Sequence, residues 1–188
     1  ASIVTNMLEF SGTNTFKHEP VQLVTLIHRS LDLAISASSL SKEYDNIRFT
    51  IVRNLPDSCP VIYGSSAELQ QVFLNLINNA YQAYSDHFLN QAIETSSQEE
   101  GILTITVSLQ VDNDSVVIEV KDNGPGMDDW TQKHIFEPFF STKGADKGTG
   151  LGLSISYFII SEHHGGEITV NSEINKGTAF TIRLPIKE

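Results

Sequence analysis

The chain has 188 residues, 40% of them hydrophobic, which fits one globular domain with a sizeable core. Lysine and arginine number 12 against 23 aspartate and glutamate residues, and the resulting net charge of −11 disfavours binding to nucleic acid phosphates. The single cysteine, Cys59, excludes an internal disulfide and a multi-cysteine metal site, and no apolar run reaches the roughly 18 residues of a membrane span.

The N-terminal part of the sequence predicts a helix end, a strand and a helix. Apolar residues have helical spacing over residues 1 to about 11, and a polar Ser-Gly-Thr-Asn-Thr run then breaks the pattern. We therefore assign residues 1–13 to the end of a longer helix and its linker, and residues 14–188 to the main domain. A short strand is predicted at Val21–Leu23, followed by an amphipathic helix from Val24 to about Leu40.

The clearest helical pattern in the chain runs from Ser65 to Tyr84. Two segments before it are predicted strands, Ile47–Val52 and Pro60–Tyr63. The apolar residues of the helix recur every three or four positions, as on a core-facing helix, and Ser65 followed by Glu68 is typical of a capping box. Asn75 and Asn79 are four residues apart and share one face at the margin of the apolar stripe, where they can reach a ligand beside the core.

The C-terminal half predicts mostly strands. Residues 85–101 are polar, and we expect an exposed extension or mobile connection there without catalytic residues. Further on, β-rich segments separated by turn signals predict four strands, at residues 102–111, 116–120, 167–171 and 178–184. Between the second and third, Gly148–Gly152 opens a helix predicted to reach about His164. This order of elements predicts the α+β class, with helices on one face of a mixed sheet.

Two glycine groups carry the candidate chemistry. The Asp-x-Gly-x-Gly pattern at Asp122–Gly126 is either an ordinary turn or a site where a buried carboxylate accepts a hydrogen bond from a purine amine. The Gly-x-Gly-x-Gly pattern at Gly148–Gly152 precedes a helix, and a helix N-terminus with unobstructed amides suits phosphate. No Gly-Lys-Ser/Thr follows, and Leu153 stands where a dinucleotide fingerprint has glycine. A different nucleotide-binding fold is therefore needed.

Four patterns in order supply such a fold. Together they resemble the N, G1, F and G2 boxes of the ATP-binding catalytic domain of bacterial sensor histidine kinases, and they are Asn75-x-x-x-Asn79, Asp122-x-Gly124-x-Gly126, Phe136-x-x-Phe139-Phe140 and Gly148-x-Gly150-x-Gly152. These kinases share a superfamily with gyrase, MutL and heat-shock-chaperone ATPases. The resemblance covers about residues 18–188 and includes Gly177-Thr178, which is similar to the last glycine motif of the family. It implies a two-layer α/β sandwich, the Bergerat fold, with ATP between the central helix and a flexible lid at about residues 128–149.

The resemblance also implies which residues bind ATP and Mg²⁺. Asn79 is expected on Mg²⁺, with Asn75 as a further metal ligand and catalytic residue, because Mg²⁺ prefers oxygen ligands. Lys143 in the lid is a candidate for the γ-phosphate, and a solvated loop lysine is the alternative. The other residues expected to contact ATP are Asp122, Gly124, Gly126, Phe136, Phe139, Gly148, Thr149, Gly150, Leu151, Gly152 and Thr178.

Three of these assignments have open alternatives or departures. Phe136 and Phe139 are either core residues or anchors of the lid, or both. Many members of the family have a basic residue three positions after the magnesium asparagine and another directly after the F box, where this chain has Gln82 and Ser141. The cation on the phosphate side therefore departs from the usual pattern of the family.

The identity of residue 75 separates three hypotheses on function. In the ATP-hydrolysing relatives a glutamate at this place activates water, whereas the amide of Asn75 cannot act as that base. We therefore expect slow hydrolysis and transfer of the γ-phosphoryl group to a histidine on a helical dimerisation domain. The alternatives are a hydrolytic ATPase of the same superfamily and a non-enzymatic nucleotide-binding module.

The remaining expectations concern histidines, partners and location. His18 is not the phosphoacceptor, because Glu19-Pro20 places proline directly after it in a non-helical entry. His163 and His164 suit the negative end of a helix, and no cysteines or carboxylate cluster support a metal role for them. Expected partners are the helical dimerisation domain and, indirectly, the receiver domain of a response regulator. Without a signal-peptide pattern the cytoplasm is expected, with any membrane anchor elsewhere.

Overall fold

The computed structural model describes residues 18–40, 47–95, 101–142 and 149–186. The strands are β1 Glu19–Val21, β2 Ile47–Asn54, β3 Ile62–Gly64, β4 Gly101–Asp112, β5 Ser115–Asp122, β6 Glu167–Glu173 and β7 Gly177–Pro185. The helices are α1 Leu23–Leu40, α2 Ser66–Thr95, α3 Asp129–His134 and α4 Gly152–Phe158, and α4 continues as a π-helical turn over Ile159–His163. No helix of the described part is long and apolar enough to cross a membrane.

The main sheet has five strands in the order β2-β4-β5-β7-β6. Strands β2 and β4 are parallel and the other neighbours are antiparallel, while β1 and β3 form a separate antiparallel pair. Along β4, alternate residues from Gly101 to Leu109 are buried, so one face of the sheet packs under the helices. The predicted α+β class with helices covering a mixed sheet is confirmed.

Helix α2 carries the predicted apolar stripe into the core. Seven apolar residues between Ser65 and Tyr84 have the predicted spacing. Tyr84 is partly buried against the core, and the other six are fully buried: Leu69, Val72, Phe73, Leu76, Ile77 and Ala80. Helix α1 buries Leu26, Ile27 and Leu31 next to it. The three-and-four spacing therefore predicted the buried face of the central helix correctly.

The predicted end of α2 was wrong. The helix continues through the polar residues after Tyr84 to Thr95 instead of opening into an extension. Inside this part, Ser85 Oγ donates to Tyr81 O at 2.7 Å, so a polar residue satisfies its own hydroxyl within the helix. The rings of Tyr84 and Phe88 stack at 6.2 Å, and Phe88 lies against Gly101 at the start of β4. This packing against the sheet is a tertiary contact that polar composition does not reveal.

Smaller differences occur at the N-terminal side. The first strand lies at Glu19–Val21 rather than 21–23, and β3 lies at Ile62–Gly64 rather than 60–63, because these two segments pair with each other in the register Glu19 with Gly64. The predicted helix end over residues 1 to about 11 falls outside the described residues.

The helical segment after the second glycine group reaches His163, close to its predicted end, but its last turn has a different geometry. It changes from α to π geometry at Ile159, and His164 then turns inward, 4% exposed. His164 Nδ1 donates to Ile159 O at 2.9 Å, and its Nε2 accepts the N–H of Ser65 at 3.0 Å. The end of this helical segment is thereby fastened to the start of α2.

The hydrogen bond between Ser65 N and His164 Nε2 alters the predicted capping box. Ser65 Oγ accepts the N–H of Glu68 at 3.4 Å, as expected for half of the box. The returning half is absent among the described residues, because the Ser65 N–H is bonded to His164 and the Glu68 carboxylate contacts His163 Nδ1 at 3.0 Å. A histidine distant in sequence thus replaces the glutamate as the acceptor at the helix start.

We expect acid to destabilise the protein through His164. Burial lowers the pKa of its imidazole; the hydrogen bond to Ile159 and the charge of Glu68 oppose this shift, and His18 and His163 add to it. Because the unfolded imidazole binds a proton more readily, the stability contributed by neutral His164 is complete above about pH 6.5 and is lost as the pH falls below it. Protonation would also place two N–H donors head to head at Ser65.

The measurement is the midpoint of thermal unfolding at pH 7.5 and pH 5.5. The wild type should lose more stability over this interval than His164→Gln, whose amide does not titrate. His87→Gln, a partly exposed position of α2, is the matched control and should behave as the wild type. Equal pH dependence of the wild type and His164→Gln would contradict the prediction.

Candidate functional site

Asp122 ends strand β5 and is 8% exposed. Its Oδ1 accepts two backbone hydrogen bonds, from Gly124 N at 2.7 Å and from Thr178 N at 3.2 Å. Its Oδ2 receives no hydrogen bond from any residue that the structure describes. Burial raises the pKa of the Asp122 carboxyl above its ordinary value, and the two N–H donors oppose that shift. One oxygen is therefore held by the protein and the other is available to a ligand.

The loop after Asp122 is held against the turn between β6 and β7. Gly126 has a φ of +70°, and a Cβ added there would lie 2.0 Å from the carbonyl oxygen of Glu173. Asn175 N donates to Pro125 O at 2.7 Å in the same contact. Glycine is required at position 126 by the backbone conformation and by this close approach, since any side chain would force the two segments apart.

Ser172 and Gln132 brace this loop and were missed by the sequence reasoning. Ser172 Oγ accepts the N–H of Met127 at 2.8 Å and lies 3.0 Å from Thr178 Oγ1. The Gln132 amide binds both backbone groups of Ser172, with Nε2 donating to its carbonyl at 2.9 Å and Oε1 accepting its N–H at 3.0 Å. Because the partners are 40 residues apart in sequence, no local pattern indicates them.

Asn75 lies on α2 facing the first turn of α4. Its Nδ2 donates to Gly152 O at 3.1 Å and to Ser156 Oγ at 3.3 Å. Asn79, one turn further along the same face, is partly buried, and its side-chain amide makes no hydrogen bond within the described part of the chain. The structure thus brings the first asparagine of the predicted pair against the second glycine group and leaves the second one available.

The predicted F box is bonded directly to the second glycine group. Phe139 N donates to Gly150 O at 2.9 Å, and a Cβ on Gly150 would lie 2.5 Å from the carbonyl carbon of Phe139. Phe136 is partly buried, and its ring lies 5.5 Å from Tyr157 on α4 and 6.3 Å from Phe180 on β7. Phe136 therefore packs between α4, which follows the second glycine group, and β7, which neighbours the strand that ends at Asp122.

The other two phenylalanines of the predicted F box, Phe139 and Phe140, differ in exposure. Phe139 is 63% exposed, while Phe140 lies 5.5 Å from the ring of Trp130, which is itself 60% exposed. Trp130 also stacks on His134 at 4.4 Å within α3. Asp128 caps α3 by accepting the N–H of Thr131 at 2.7 Å, so the first part of the predicted lid region is a capped helix.

The second glycine group is described only in part. Thr149 is exposed, and its Oγ1 accepts the N–H of Leu151 at 3.4 Å. Leu151 precedes α4 and makes no side-chain cap for that helix. Gly148 and the candidate cation Lys143 lie outside the described residues.

The donor set of this region suits a hard cation better than a soft one. Asn75 and Asn79 offer amide oxygens, which are ligands of Mg²⁺, and no described group of three or more His, Cys, Asp or Glu residues could hold a metal ion.

A separate groove of about 400 Å³ is lined by Asp112, Asp114 and Arg183, among others, and by none of the predicted nucleotide-binding residues. It lies at the opposite end of β5 from Asp122.

Comparison with known proteins decides the family. A model of the family described as histidine kinase-, DNA gyrase B-, and HSP90-like ATPase matches residues 64–188. The chain belongs to this family. The match contains every residue that the sequence assigned to nucleotide or metal, from Asn75 to Thr178.

Two curated relatives of this chain are named as kinases. Sporulation kinase E of Bacillus subtilis (strain 168) is 35% identical over 100% of this chain and 22% of its own length. Sensor histidine kinase ZraS of Escherichia coli (strain K12) is 36% identical over 98% of this chain and 34% of its own length. The chain therefore spans between a fifth and about a third of these relatives.

Solved structures of other proteins share the fold of this chain. The catalytic domain of histidine kinase ThkA superposes with a TM-score of 0.69 at 27% identity, covering 90% of this chain and 95% of that one. Full-length ShkA in complex with AMPPNP gives a TM-score of 0.70 at 25% identity, covering 98% of this chain and 35% of that one. A structure of ThkA in complex with response regulator protein TrrA gives 0.69 at 26% identity, covering 99% of this chain and 47% of that one.

Proposed function

We propose that this chain is the catalytic domain that binds Mg-ATP in a sensor histidine kinase and transfers the γ-phosphoryl group to a histidine on a separate helical domain. The observation that carries this proposal is the side chain of Asn75, whose Nδ2 donates to Gly152 O at 3.1 Å. An amide in this place cannot take a proton from water, whereas a glutamate occupies it in ATP-hydrolysing relatives. A nucleotide site without a hydrolytic base suits transfer to a partner.

The base of the nucleotide is assigned to the Asp122 side of the site. The exocyclic amine of adenine donates to Asp122 Oδ2, because Oδ1 is already occupied by the N–H groups of Gly124 and Thr178. Gly124 keeps the carboxylate accessible, since a Cβ there would lie 2.8 Å from Oδ1. Thr178 is proposed to lie beside the base because its N–H donates to Asp122 Oδ1. Gly126 is proposed to maintain the conformation of the loop after Asp122 through its φ of +70° and its close approach to Glu173.

The phosphates are assigned to the other side. The backbone N–H groups of Thr149, Gly150, Leu151 and Gly152 are proposed to donate to them. The sequence adds Gly148 as a further candidate for the phosphates and Lys143 as the candidate for the γ-phosphate. Phe136 and Phe139 anchor the segment that closes over the nucleotide, which agrees with the hydrogen bond between Phe139 N and Gly150 O.

Asn79 and Asn75 are proposed to hold Mg²⁺ through their amide oxygens. Bound Mg²⁺ would supply positive charge that offsets the phosphate oxygens during transfer. The residues of the chain position ATP so that an incoming imidazole nitrogen forms a bond to the γ-phosphorus while the bond to the bridging oxygen breaks and ADP leaves.

The acceptor and the downstream partner are proposed outside residues 14–188. ThkA, which resembles this chain at a TM-score of 0.69, was solved in complex with a response regulator protein. We propose the same kind of succession here, from the catalytic domain to a histidine on a helical dimerisation domain and then to a receiver domain. Residues 1–13 are proposed as the end of that helical domain and the linker to it.

The proposal is tested by binding and labelling of the chain. We expect ADP and ATP to bind with Mg²⁺ in the micromolar range, about −8 kcal/mol, as measured by calorimetry. We expect negligible label on the chain itself after incubation with γ-labelled ATP, and slow steady-state hydrolysis. A longer version that includes the proposed helical domain should become labelled on a histidine.

Three results would overturn this reading in different ways. Robust labelling of a histidine within this chain would mean that the acceptor is not on a separate domain. Rapid hydrolysis would favour the alternative of a hydrolytic ATPase of the same superfamily. If calorimetry detects no heat of nucleotide binding while circular dichroism shows that the chain is folded, a non-enzymatic module that retains the fold as a binding surface would be favoured.

A further inference from the structure

Ser156 lies on α4 facing α2 and is fully buried, at 0% exposure. Its Oγ lies 2.9 Å from Gly152 O, one turn earlier in the same helix, and 3.3 Å from Asn75 Nδ2 on the neighbouring helix. The same Asn75 nitrogen lies 3.1 Å from Gly152 O. A hydroxyl, an amide and a carbonyl therefore form a closed triangle between the two helices.

The chemistry of this triangle allows one arrangement of hydrogens. A backbone carbonyl can only accept, so both the Ser156 hydroxyl and the Asn75 NH₂ group must donate to Gly152 O. The Ser156 hydrogen is then used, and the lone pairs of its oxygen remain to accept the second N–H of Asn75. Both N–H bonds of the amide are thereby directed at α4.

The opposite orientation of the Asn75 amide is disfavoured for the same reason. Turning the group over would place Oδ1 against Gly152 O, acceptor against acceptor, and would leave the lone pairs of Ser156 without a donor in a buried position. The Asn75 Oδ1 is therefore the atom of this amide that α4 leaves without a hydrogen bond, and it remains open to a ligand. Asn79 follows one turn later on the same face of α2, so both amide oxygens are available on one side of the helix.

We propose that Ser156 is a positioning residue for the nucleotide-bound magnesium. It holds the Asn75 amide in the one orientation that presents oxygen, rather than nitrogen, to the metal. This inference rests on the proposed Mg-ATP site and names a residue outside the four sequence patterns and the glycine motif near the C-terminus. Ser156 itself touches neither the metal nor the nucleotide.

The test compares nucleotide binding with and without Mg²⁺. In Ser156→Ala the Asn75 amide keeps the carbonyl of Gly152 but loses the acceptor that fixes its second N–H. We expect the affinity for ADP in the presence of Mg²⁺ to fall about three- to tenfold, which corresponds to about one hydrogen bond. In EDTA the affinity for ADP should stay within about twofold of the wild type, because the contacts proposed for the base do not involve Asn75 or Ser156.

Ser161→Ala is the matched control on the same helical segment. Ser161 Oγ also donates to a carbonyl four residues earlier, that of Tyr157 at 2.8 Å, but it does not lie against Asn75. This variant should bind ADP as the wild type does under both conditions. Ser156→Cys, which retains a weak donor and acceptor at similar size, should lose less Mg²⁺-dependent affinity than Ser156→Ala, and it carries the test if the alanine variant does not fold.

A double substitution separates a positioning role from a general structural one. If Ser156 acts through Asn75, Asn75→Ala combined with Ser156→Ala should bind Mg-ADP no more weakly than Asn75→Ala alone. Equal losses with Mg²⁺ and in EDTA, an unchanged affinity in Ser156→Ala, or additive losses in the double variant would each overturn the proposal. Failure of the wild type to bind ADP at all would instead overturn the proposed function itself.

Discussion

Asp122→Asn is expected to weaken ADP and ATP binding by about 10- to 100-fold, the range of a hydrogen bond to a charged group. Asparagine has a single side-chain oxygen, and the N–H groups of Gly124 and Thr178, at 2.7 and 3.2 Å, require it on the protein side. The NH₂ group of the variant then faces the adenine amine, donor against donor. Isothermal titration calorimetry measures the loss directly.

The same argument predicts a change of base preference. A purine with a carbonyl at position 6, as in inosine diphosphate, offers an acceptor to the NH₂ group of the variant and a poor partner to the carboxylate of the wild type. The preference for ADP over inosine diphosphate should therefore shrink or reverse in Asp122→Asn. An unchanged preference would mean that Asp122 does not read the base.

Unfolding does not account for the expected loss. Burial raises the pKa of the Asp122 carboxyl, so the folded state favours its neutral form. Ionisation of this carboxyl therefore lowers the free energy of unfolding as the pH rises through the pKa of the folded state. At pH 7 the neutral asparagine should therefore leave the thermal midpoint unchanged or higher. Asp114→Asn removes the same charge at the exposed far end of β5 and should alter neither affinity nor preference.

Gly177→Ala is expected to reduce the free energy of unfolding by about 2–5 kcal/mol. Gly177 has a φ of +94°, and a Cβ there would lie 2.0 Å from the carbonyl oxygen of Asp122. The clash is with backbone, which has no side-chain freedom to move aside. Urea unfolding followed by circular dichroism gives the change, and Mg-ADP affinity should fall as well because Thr178 N would shift from Asp122.

Gly152→Ala is the matched control for the stability measurement. A Cβ on Gly152 would lie 3.8 Å from the Asn75 Cγ, an ordinary contact, and the residue starts a helix, where alanine is favourable. We expect its free energy of unfolding to stay within about 1 kcal/mol of the wild type or to rise. A Gly177→Ala variant as stable as Gly152→Ala would show that the two strand ends do not approach as described.

The sequence predicted well wherever neighbours along the chain decide the outcome. The apolar stripe of α2, the β4–β5 hairpin and the last two strands follow from period and turn residues, and the structure has them within a few residues of the predicted limits. The fold class followed from their order. The predicted family is confirmed by the match over residues 64–188.

The predictions failed where a distant partner changes a local preference. Helix α2 runs past Tyr84 because Phe88 packs against Gly101, and polar composition alone indicated a connection there. His164 was placed at a helix end on electrostatic grounds. It is instead a buried acceptor for Ser65, 99 residues away, and thereby replaces half of the predicted capping box.

The sequence by itself determined the kind of fold, the family and the residue types of the proposed nucleotide site, since spacing within a helix or a glycine turn is local information. Only the tertiary structure decided the state of each group: which oxygen of Asp122 is occupied, and which atom of the Asn75 amide is hydrogen-bonded to α4. Hydrogen bonds are directional and their partners here lie 56 and 77 residues apart. Their pairing therefore exists only once the strands and helices have packed.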